Sequence, residues 1–272
     1  MMKILSTLGR RIPTCVLLLL AGSSAHAVTI LTLTDGNTMF DVASNGMSAW
    51  TVDGADIMPQ QWFWFRTGSS FTNQSALQSL DSIGAPTVTF DSGFPSFGEL
   101  TYQSSSIGAD LALVLAGGQP AVLSEQLEWT NLTSHNMYLT IFQYIHFAFS
   151  SGTDSLRISG NQATQTGANG SSETVADPFD ARLTGYQAGN YSTILSSLTN
   201  PATSASFNLN DRTSANGNVE TAFEWNTVLA PNQSFTLSIA ESATAPEPGS
   251  VGLFLTGVLV LWTTRVVKKR LS

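Results

Sequence analysis

Between residues 28 and 245, apolar residues alternate with polar ones, and this period of two constrains the fold most. Phe235, Leu237 and Ile239, for example, alternate with serine and threonine. Successive side chains of a strand point to opposite faces of a sheet, so such a segment buries one face and exposes the other. Turns rich in Gly, Asn, Asp and Pro separate many segments of this kind. The pattern predicts an all-β protein whose antiparallel sheets pack as a β-sandwich.

Three segments carry more specific predictions. Phe223 and Trp225 alternate with polar residues, and the turn residues 230–233 separate them from the strand that contains Phe235, so we expect a hairpin. Residues 160–181 are rich in Gly, Asn, Thr and Gln, which predicts a loop. Residues 74–83 are predicted to contain a short helix.

The N-terminal segment has the pattern of a signal peptide. A basic stretch precedes an apolar run at residues 15–21, and Ala25 and Ala27 flank one variable position, as signal peptidase requires. The run is about half of the roughly 20 residues that span a bilayer, which favours a cleaved signal over an anchor. Cleavage after Ala27 would also remove Cys15, the only cysteine. The mature protein would then form no disulfide and would depend on its hydrophobic core.

The C-terminal tail has three parts in order. Pro246, Glu247 and Pro248 are followed by an apolar stretch over residues 251–262 and then by a basic end. The span of about 17 residues predicts a single, marginal membrane helix, and its basic end is predicted to lie in the cytoplasm. The basic residues are Arg265, Lys268, Lys269 and Arg270.

Residues 246–272 resemble the PEP-CTERM sorting signal of Gram-negative bacteria. The resemblance implies export across the inner membrane and cleavage near Pro246–Pro248 by exosortase, a membrane-embedded cysteine protease. It further implies release to, or attachment at, the cell surface of a bacterium that makes exopolysaccharide and biofilm. The expected organisation is a signal peptide at 1–27, a sandwich ectodomain at 28–242 and a sorting signal at 243–272.

A second, looser resemblance lies within the ectodomain. Residues 50–54 (WTVDG), 61–66 (QWFWFR), 142–144 (FQY) and 223–226 (FEWN) are similar to a recurrent group of PEP-CTERM proteins of uncharacterised biochemistry. This resemblance implies a single domain and brings no known activity.

The ectodomain is acidic and contains no lysine. Four arginines and 18 acidic residues lie between residues 28 and 245, which gives a formal charge of 4 − 18 = −14. Such a surface repels phosphates, so a nucleic-acid partner is excluded.

Possible catalytic and metal-binding groups are few. Glu125 and Glu128 are three apart on a predicted strand and should lie on opposite faces, whereas Asp177 and Asp180 share a predicted loop. Neither pair has the facing arrangement that a glycosidase needs. The ectodomain has two histidines, His135 and His146, and no cysteine, which makes a zinc site improbable, and His146 is predicted to pack in the core. No cofactor or metal is therefore predicted, although three oxygen-bearing residues leave calcium open. They are Asn208, Asn210 and Asp211.

The tryptophans are the candidate ligand-contacting residues. Trp62 and Trp64 lie on one face of their predicted strand, with phenylalanines on the other. An exposed face could stack on sugar rings together with Trp50. The competing interpretation, which the two-sided apolar pattern favours, is a central strand that is buried on both faces.

Taken together, these features predict an exported surface or matrix protein that exosortase processes and that works by interaction, without catalysis, in association with exopolysaccharide. The alternative is a carbohydrate-binding module. A third hypothesis, from a different class, is a secreted glycoside hydrolase.

Overall fold

The computed structural model describes residues 28–149, 154–167, 171–176, 183–200 and 207–244. They form 19 strands, one short α-helix, α1 (Thr193–Thr199), and a 3-10 helix at Leu80–Ile83. The first ten strands are β1 (Thr29–Asp35), β2 (Thr38–Ala43), β3 (Gly46–Val52), β4 (Ala55–Asp56), β5 (Gln60–Ser70), β6 (Asn73–Gln74), β7 (Gln78–Ser79), β8 (Thr87–Phe90), β9 (Phe97–Gln103) and β10 (Ile107–Ala116). The remaining nine are β11 (Ala121–Asn131), β12 (Met137–His146), β13 (Asp154–Ser159), β14 (Gln162–Thr166), β15 (Ser172–Ala176), β16 (Leu183–Asn190), β17 (Ser214–Gly217), β18 (Val219–Leu229) and β19 (Ser234–Thr244).

The described strands form two antiparallel sheets, which confirms the all-β prediction. The ten-stranded sheet has the order β1-β2-β3-β5-β12-β18-β16, with β4 paired to β3 and both β6 and β7 paired to β5. The nine-stranded sheet has the order β17-β13-β14-β15-β19-β11-β10-β9-β8. Inward-facing apolar side chains of the two sheets form one shared core. The architecture is therefore a sandwich.

β19 shows how the alternation of apolar and polar residues leads to burial of one face of a strand. Phe235, Leu237 and Ile239 are all buried, while the residues between them are exposed or half-buried. One face of the strand thus packs on the opposite sheet and the other faces outward. The prediction from alternation is confirmed for this strand.

The predicted hairpin around residues 230–233 is wrong in its pairing. A turn is present, since the Gln233 amide donates to the Ala230 carbonyl at 3.0 Å. β18 nevertheless pairs with β12 and β16 in the ten-stranded sheet, whereas β19 pairs with β11 and β15 in the other. The connection between β18 and β19 crosses from one sheet to the other. Turn residues fix a reversal of the chain but not which neighbours the two strands then bond to.

Two further local predictions are corrected. The segment 160–181, predicted to be a loop, contains β14 and β15, which pair with each other mainly through polar residues. In the segment 74–83 only Leu80–Ile83 is helical, and the preceding residues contribute the short strands β6 and β7. In both places pairing with a neighbouring strand overrides weak local propensity.

The last described strand runs two residues past the predicted end of the ectodomain. β19 continues to Thr244, and Ala243 lies opposite Ala121. The first residues of the predicted tether are therefore part of the sheet. Among the described residues no helix is long and apolar enough to cross a membrane. The predicted signal peptide and tail helix lie outside the described residues.

Candidate functional site

Three of the aromatic-rich segments from the sequence lie side by side in the ten-stranded sheet. β12 pairs with β5 and with β18, so that Phe142 lies opposite both Trp64 and Glu224. Alternate residues of a strand point to opposite faces. Gln61 and Gln143 point toward the nine-stranded sheet, because both donate to Glu125 of β11. Phe142 and its neighbours Trp64 and Glu224 therefore lie on the other side, called here the outer face.

A cluster of polar side chains around one aromatic ring occupies the middle of the outer face. This outer-face cluster consists of Arg66, Phe142, Asn208 and Glu224. The guanidinium carbon of Arg66 lies 5.6 Å from the centre of the Phe142 ring, within the range of a cation–π contact. Nη2 of Arg66 donates to Oδ1 of Asn208 at 2.9 Å. Arg66 and Glu224 are each 5% exposed. Two opposite charges that influence each other thus lie on the same face with little contact to water.

The electrostatics of this cluster follow from burial. Burial raises the pKa of Glu224, while hydrogen bonding by the Leu209 amide and the charge of Arg66 oppose the rise. Burial lowers the pKa of Arg66, and Glu224 opposes that shift. Each charge therefore offsets part of the desolvation cost of the other.

Residues 207–212, called here the strap, pack on the outer face and contribute Asn208 to this cluster. The Leu209 amide donates to Oε2 of Glu224 at 3.2 Å, and the Phe207 ring lies 5.7 Å from the Phe142 ring. At the far end, Oδ1 of Asp211 accepts a hydrogen bond from the Tyr186 amide at 3.3 Å. Asp211 has φ of 56°, in the left-handed region that aspartate tolerates better than most residues. The strap is thus tied to the sheet through Glu224 and Asp211.

A cleft of about 530 Å³ opens beside the strap, at the β16 edge of the ten-stranded sheet. A Cβ added at Gly185 would lie 3.3 Å from Oε2 of Glu224, so the wall of the cleft backs onto the outer-face cluster. The lining combines a carboxylate, an amide, a hydroxyl and a phenol with one aliphatic side chain. Its residues are Gly160, Asn161, Leu183, Thr184, Gly185, Tyr186 and Asp211. The volume is in the range of small-molecule sites.

A second carboxylate on the outer face holds α1 in place. Glu220 accepts hydrogen bonds from the Tyr144 hydroxyl at 2.8 Å, from the Ser192 amide at 3.0 Å and from the Ile194 amide. Burial raises the pKa of Glu220, and these hydrogen bonds oppose the rise. All of these partners are structural groups, so Glu220 anchors the helix to the sheet.

His146 is packed as the sequence predicted. It is 6% exposed, and it shares the outer face with Phe142 and Tyr144. Nε2 lies 3.0 Å from Oδ1 of Asn218, and the ring packs on Tyr191 at 4.4 Å.

Three glutamates lie in the interior between the two sheets. Nε2 of Gln61 donates to Oε1 of Glu125 at 2.8 Å, and Nε2 of Gln143 bridges Glu125 and Glu241 at 3.1 and 3.3 Å. Burial, and next the charge of Glu241, raises the pKa of both Glu125 and Glu173 well above the usual range. Burial raises the pKa of Glu241 to about 8. We call these three residues the inter-sheet carboxyls.

The predicted sugar-stacking role of the tryptophans does not agree with their positions. Trp50, Trp62 and Trp64 are 0, 1 and 6% exposed. The indole N–H of Trp50 donates to the Thr38 hydroxyl at 2.9 Å, and that of Trp62 donates to Oδ1 of Asp81 at 3.0 Å. None of the three rings offers an open face to a ligand. β5 is central in its sheet and covered on both sides, so the competing interpretation holds.

Some of the remaining candidate residues lie within the described ranges, and others lie outside them. Glu125 is buried and Glu128 half-buried on opposite faces of β11, as the spacing predicts. Among the described residues no three His, Cys, Asp or Glu side chains are grouped so that they could hold a metal ion. In the calcium candidate, Oδ1 of Asn208 accepts from Arg66 and Oδ1 of Asn210 from the Arg212 amide. Several predicted residues lie outside the described ranges: Ala25, Ala27, Asp177, Asp180, Pro246, Glu247, Pro248, Arg265, Lys268, Lys269 and Arg270.

Sequence reasoning missed the pairing of Arg66 with Glu224 and the inter-sheet carboxyls. A signal for the carboxyls was present, because Glu241 continues the inward series Phe235, Leu237, Ile239. No comparable pattern in the sequence relates Arg66 to Glu224. The two residues are 158 positions apart, and only the strand order brings them to the same face.

No protein-family model matches the chain, and no curated protein matches it. Among solved structures, a protein from Synechocystis sp. PCC 6803 is similar with a TM-score of 0.55 and 10% identity, over 80% of this chain and 96% of that one. A galactose mutarotase related enzyme from Lactobacillus acidophilus is similar with a TM-score of 0.54 and 8% identity, over 79% and 97%. At such identities the likeness concerns the fold alone. The chain shares its sandwich fold with these two proteins.

Proposed function

We propose that the ectodomain is a carbohydrate-binding domain that binds sugar in the cleft beside Gly185. The observation that carries this proposal is the lining of the cleft, where Asp211, Asn161 and Thr184 supply side-chain hydrogen-bonding groups next to Tyr186. A sugar presents hydroxyl groups, each a donor and an acceptor, around an apolar C–H surface. Carboxylate and amide groups suit the hydroxyls, and an aromatic ring suits the C–H surface. The fold shared with a galactose mutarotase related enzyme supports the same ligand class.

Binding, rather than turnover, is the function proposed for the cleft. Glu224, the carboxyl behind the cleft wall, is held by Leu209, Asn226 and the charge of Arg66. A general acid or base must instead reach the reacting atoms directly. The glycoside hydrolase hypothesis needs two facing carboxyls, and among the described residues that line the cleft Asp211 supplies one.

Titration calorimetry of the full chain, with galactose and with the host's own extracellular polysaccharide, tests the site. Asp211→Asn is expected to weaken binding by about 10- to 100-fold, because a hydrogen bond to a charged group is worth roughly 1.5–3 kcal/mol. Asp110→Asn makes the same charge change on β10, away from the cleft, and should leave binding unchanged. Equal binding by both variants would place the sugar elsewhere, and no binding of either ligand would reject the proposal. Cleavage of the polysaccharide or interconversion of galactose anomers, detected by NMR, would show an enzyme.

We further propose that this domain is exported and sorted to the cell surface through its two ends. Signal peptidase and exosortase are the processing enzymes, the membrane is contacted through the tail, and exopolysaccharide is the partner at the surface. The support is the order of segments at each end of the chain. Ala25 and Ala27 follow an apolar run at the N-terminal end, and Pro246–Pro248 precede an apolar run at the C-terminal end.

Mass spectrometry of the protein from its host, with and without exosortase, tests this proposal. The expected product lacks residues 1–27 and the segment beyond Pro248, and it is found outside the cell only when exosortase is present. A product that keeps Lys268, Lys269 and Arg270 in the inner membrane under both conditions would overturn it.

A further inference from the structure

The last described strand leaves the sandwich at one end of the nine-stranded sheet, called here the exit end. β19 ends beside the start of β11, where Ala243 lies opposite Ala121, and the start of β11 lies beside the end of β10. The amide of Leu115, at the end of β10, donates to the Ser96 carbonyl at 2.8 Å. The loop 91–96 between β8 and β9 is therefore at the exit end, three strand spacings or about 14 Å from β19.

Three large apolar side chains are exposed at the exit end. Phe94, in the loop, is 67% exposed, and Phe90, at the end of β8, is 47% exposed. Val114, near the end of β10, is 46% exposed. The turns at the far end of the same strands are polar, because residues 104–106 are three serines and residues 133–136 are Thr-Ser-His-Asn. Single exposed apolar residues are common, whereas several at one end of a domain mark an interaction surface.

The segment that follows β19 determines what the exit end faces. Six residues, 245–250, separate Thr244 from Val251, where the apolar stretch of the tail begins. Fully extended, this tether reaches about 25 Å. β11, with 11 residues, is about 37 Å long. A membrane that holds the tail thus lies within the tether's reach of the exit end, and the far end is one strand length removed from the tether.

We propose that the loop 91–96 inserts Phe94, with Phe90 behind it, into the interface of the membrane that holds the tail. This inference rests on the membrane contact proposed for the tail. A bilayer interface takes up aromatic rings while the neighbouring backbone stays hydrated. Two phenyl rings offer no more apolar surface than one myristoyl chain, which by itself binds a membrane only marginally. The loop therefore orients the tethered domain and releases it once the tail is cut.

The charges at the exit end favour a neutral lipid surface. Asp35 and Asp91 lie at this end, where they accept hydrogen bonds from the Gly117 and Gly93 amides at 2.8 Å. The arginines of the described residues lie in β5, in β13 and in the strap. Acidic groups repel anionic lipids, so burial of the phenyl rings has to supply the attraction. Insertion should therefore be stronger in phosphatidylcholine vesicles than in phosphatidylglycerol vesicles.

An environment-sensitive dye tests the contact in vesicles of phosphatidylcholine. Residues 28–272 contain every described strand and no cysteine, so one introduced thiol can carry the dye nitrobenzoxadiazole. Ser92→Cys places the dye in the loop, and Ser105→Cys, exposed in the turn at the other end of β9, is the matched control.

With the tail inserted, the dye on Ser92→Cys should shift its emission to shorter wavelength and be quenched by doxyl-labelled lipid. The dye on Ser105→Cys should keep its emission in water. Adding Phe94→Ser to Ser92→Cys should lower the ratio of inserted to free loop by about tenfold, since the burial of one phenyl ring is lost.

Flotation of the vesicles separates this inference from the proposal for the tail. Protein that does not float with the vesicles would reject both the tail contact and the loop contact. Protein that floats while both dyes stay in water would leave the tail contact standing and overturn the loop contact. Equal shifts of both dyes would show a domain without a preferred end, and a shift that requires exosortase in the vesicles would assign the surface to that enzyme. Either result would also overturn the inference.

Discussion

The protein is expected to become more stable as the pH falls from about 8 to about 5, which is the reverse of ordinary acid denaturation. The folded protein holds protons on the inter-sheet carboxyls, Glu125, Glu173 and Glu241, whose pKa values burial raises, that of Glu241 to about 8. In the unfolded chain these groups titrate near 4.5. Between these values the folded state binds more protons than the unfolded state, so rising pH favours unfolding. The stabilisation is complete below the unfolded pKa and is lost as the pH rises through the folded pKa.

Between the unfolded and folded pKa values, each rise of one pH unit lowers the free energy of unfolding by about 1.4 kcal/mol for every carboxyl that is protonated only in the folded state. Urea unfolding at several pH values measures the slope. Glu241→Gln mimics the protonated acid, so it should reduce the slope and be more stable than the wild type at the alkaline end. Glu128→Gln, half-buried on the outward face of β11, should retain the wild-type slope. A wild-type protein that gains stability between pH 5 and pH 8 would show that the inter-sheet carboxyls are ionised in the folded state.

Arg66→Met is expected to destabilise the protein by about 3–5 kcal/mol, because it removes one partner of a buried pair of charges. Asn208 loses its donor and Phe142 loses the guanidinium over its ring. Glu224 is left buried without its positive neighbour. The strap above these residues should then separate more easily from the sheet.

Two measurements distinguish this loss from a general defect. The double variant Arg66→Met with Glu224→Gln should lose less stability than the two single variants summed, since no charge is left buried. Trypsin should cut faster after Arg212, at the end of the strap, in Arg66→Met than in the wild type. Arg157→Met, exposed on β13, serves as the control and should change stability by less than about 0.5 kcal/mol. A strictly additive double variant would mean that Arg66 and Glu224 act independently.

The cleft and the outer-face cluster are coupled through the same few residues. Glu224 lies behind Gly185, and the strap that it holds ends at Asp211 in the cleft lining. Loss of Arg66 should therefore weaken sugar binding as well as stability. Under this proposal, binding of sugar depends on Glu224, which lies behind Gly185 in the cleft wall, and on the charge of Arg66.

The secondary structure of much of the chain can be predicted from its amino-acid pattern. Alternation over Phe235–Ile239 predicts a strand with one buried face, because the side-chain period of a strand is a local property of the backbone. Such patterns also predicted the all-β class and the opposite faces of Glu125 and Glu128. They failed where the chain is polar, at β14 and β15, because there the strands form by pairing with neighbours and not by local preference.

What covers each face of a strand depends on the tertiary structure. The tryptophans Trp62 and Trp64 are buried because β5 is central in its sheet and other side chains pack on its outer face, where Trp62 contacts Asp81 and Trp64 contacts Tyr144. The turn at residues 230–233 could have closed a hairpin, yet β18 and β19 enter different sheets. Arg66 and Glu224 lie on the same face and influence each other because β5 and β18 both pair with β12. Strand order depends on contacts between distant parts of the chain, and a local pattern contains no information about them.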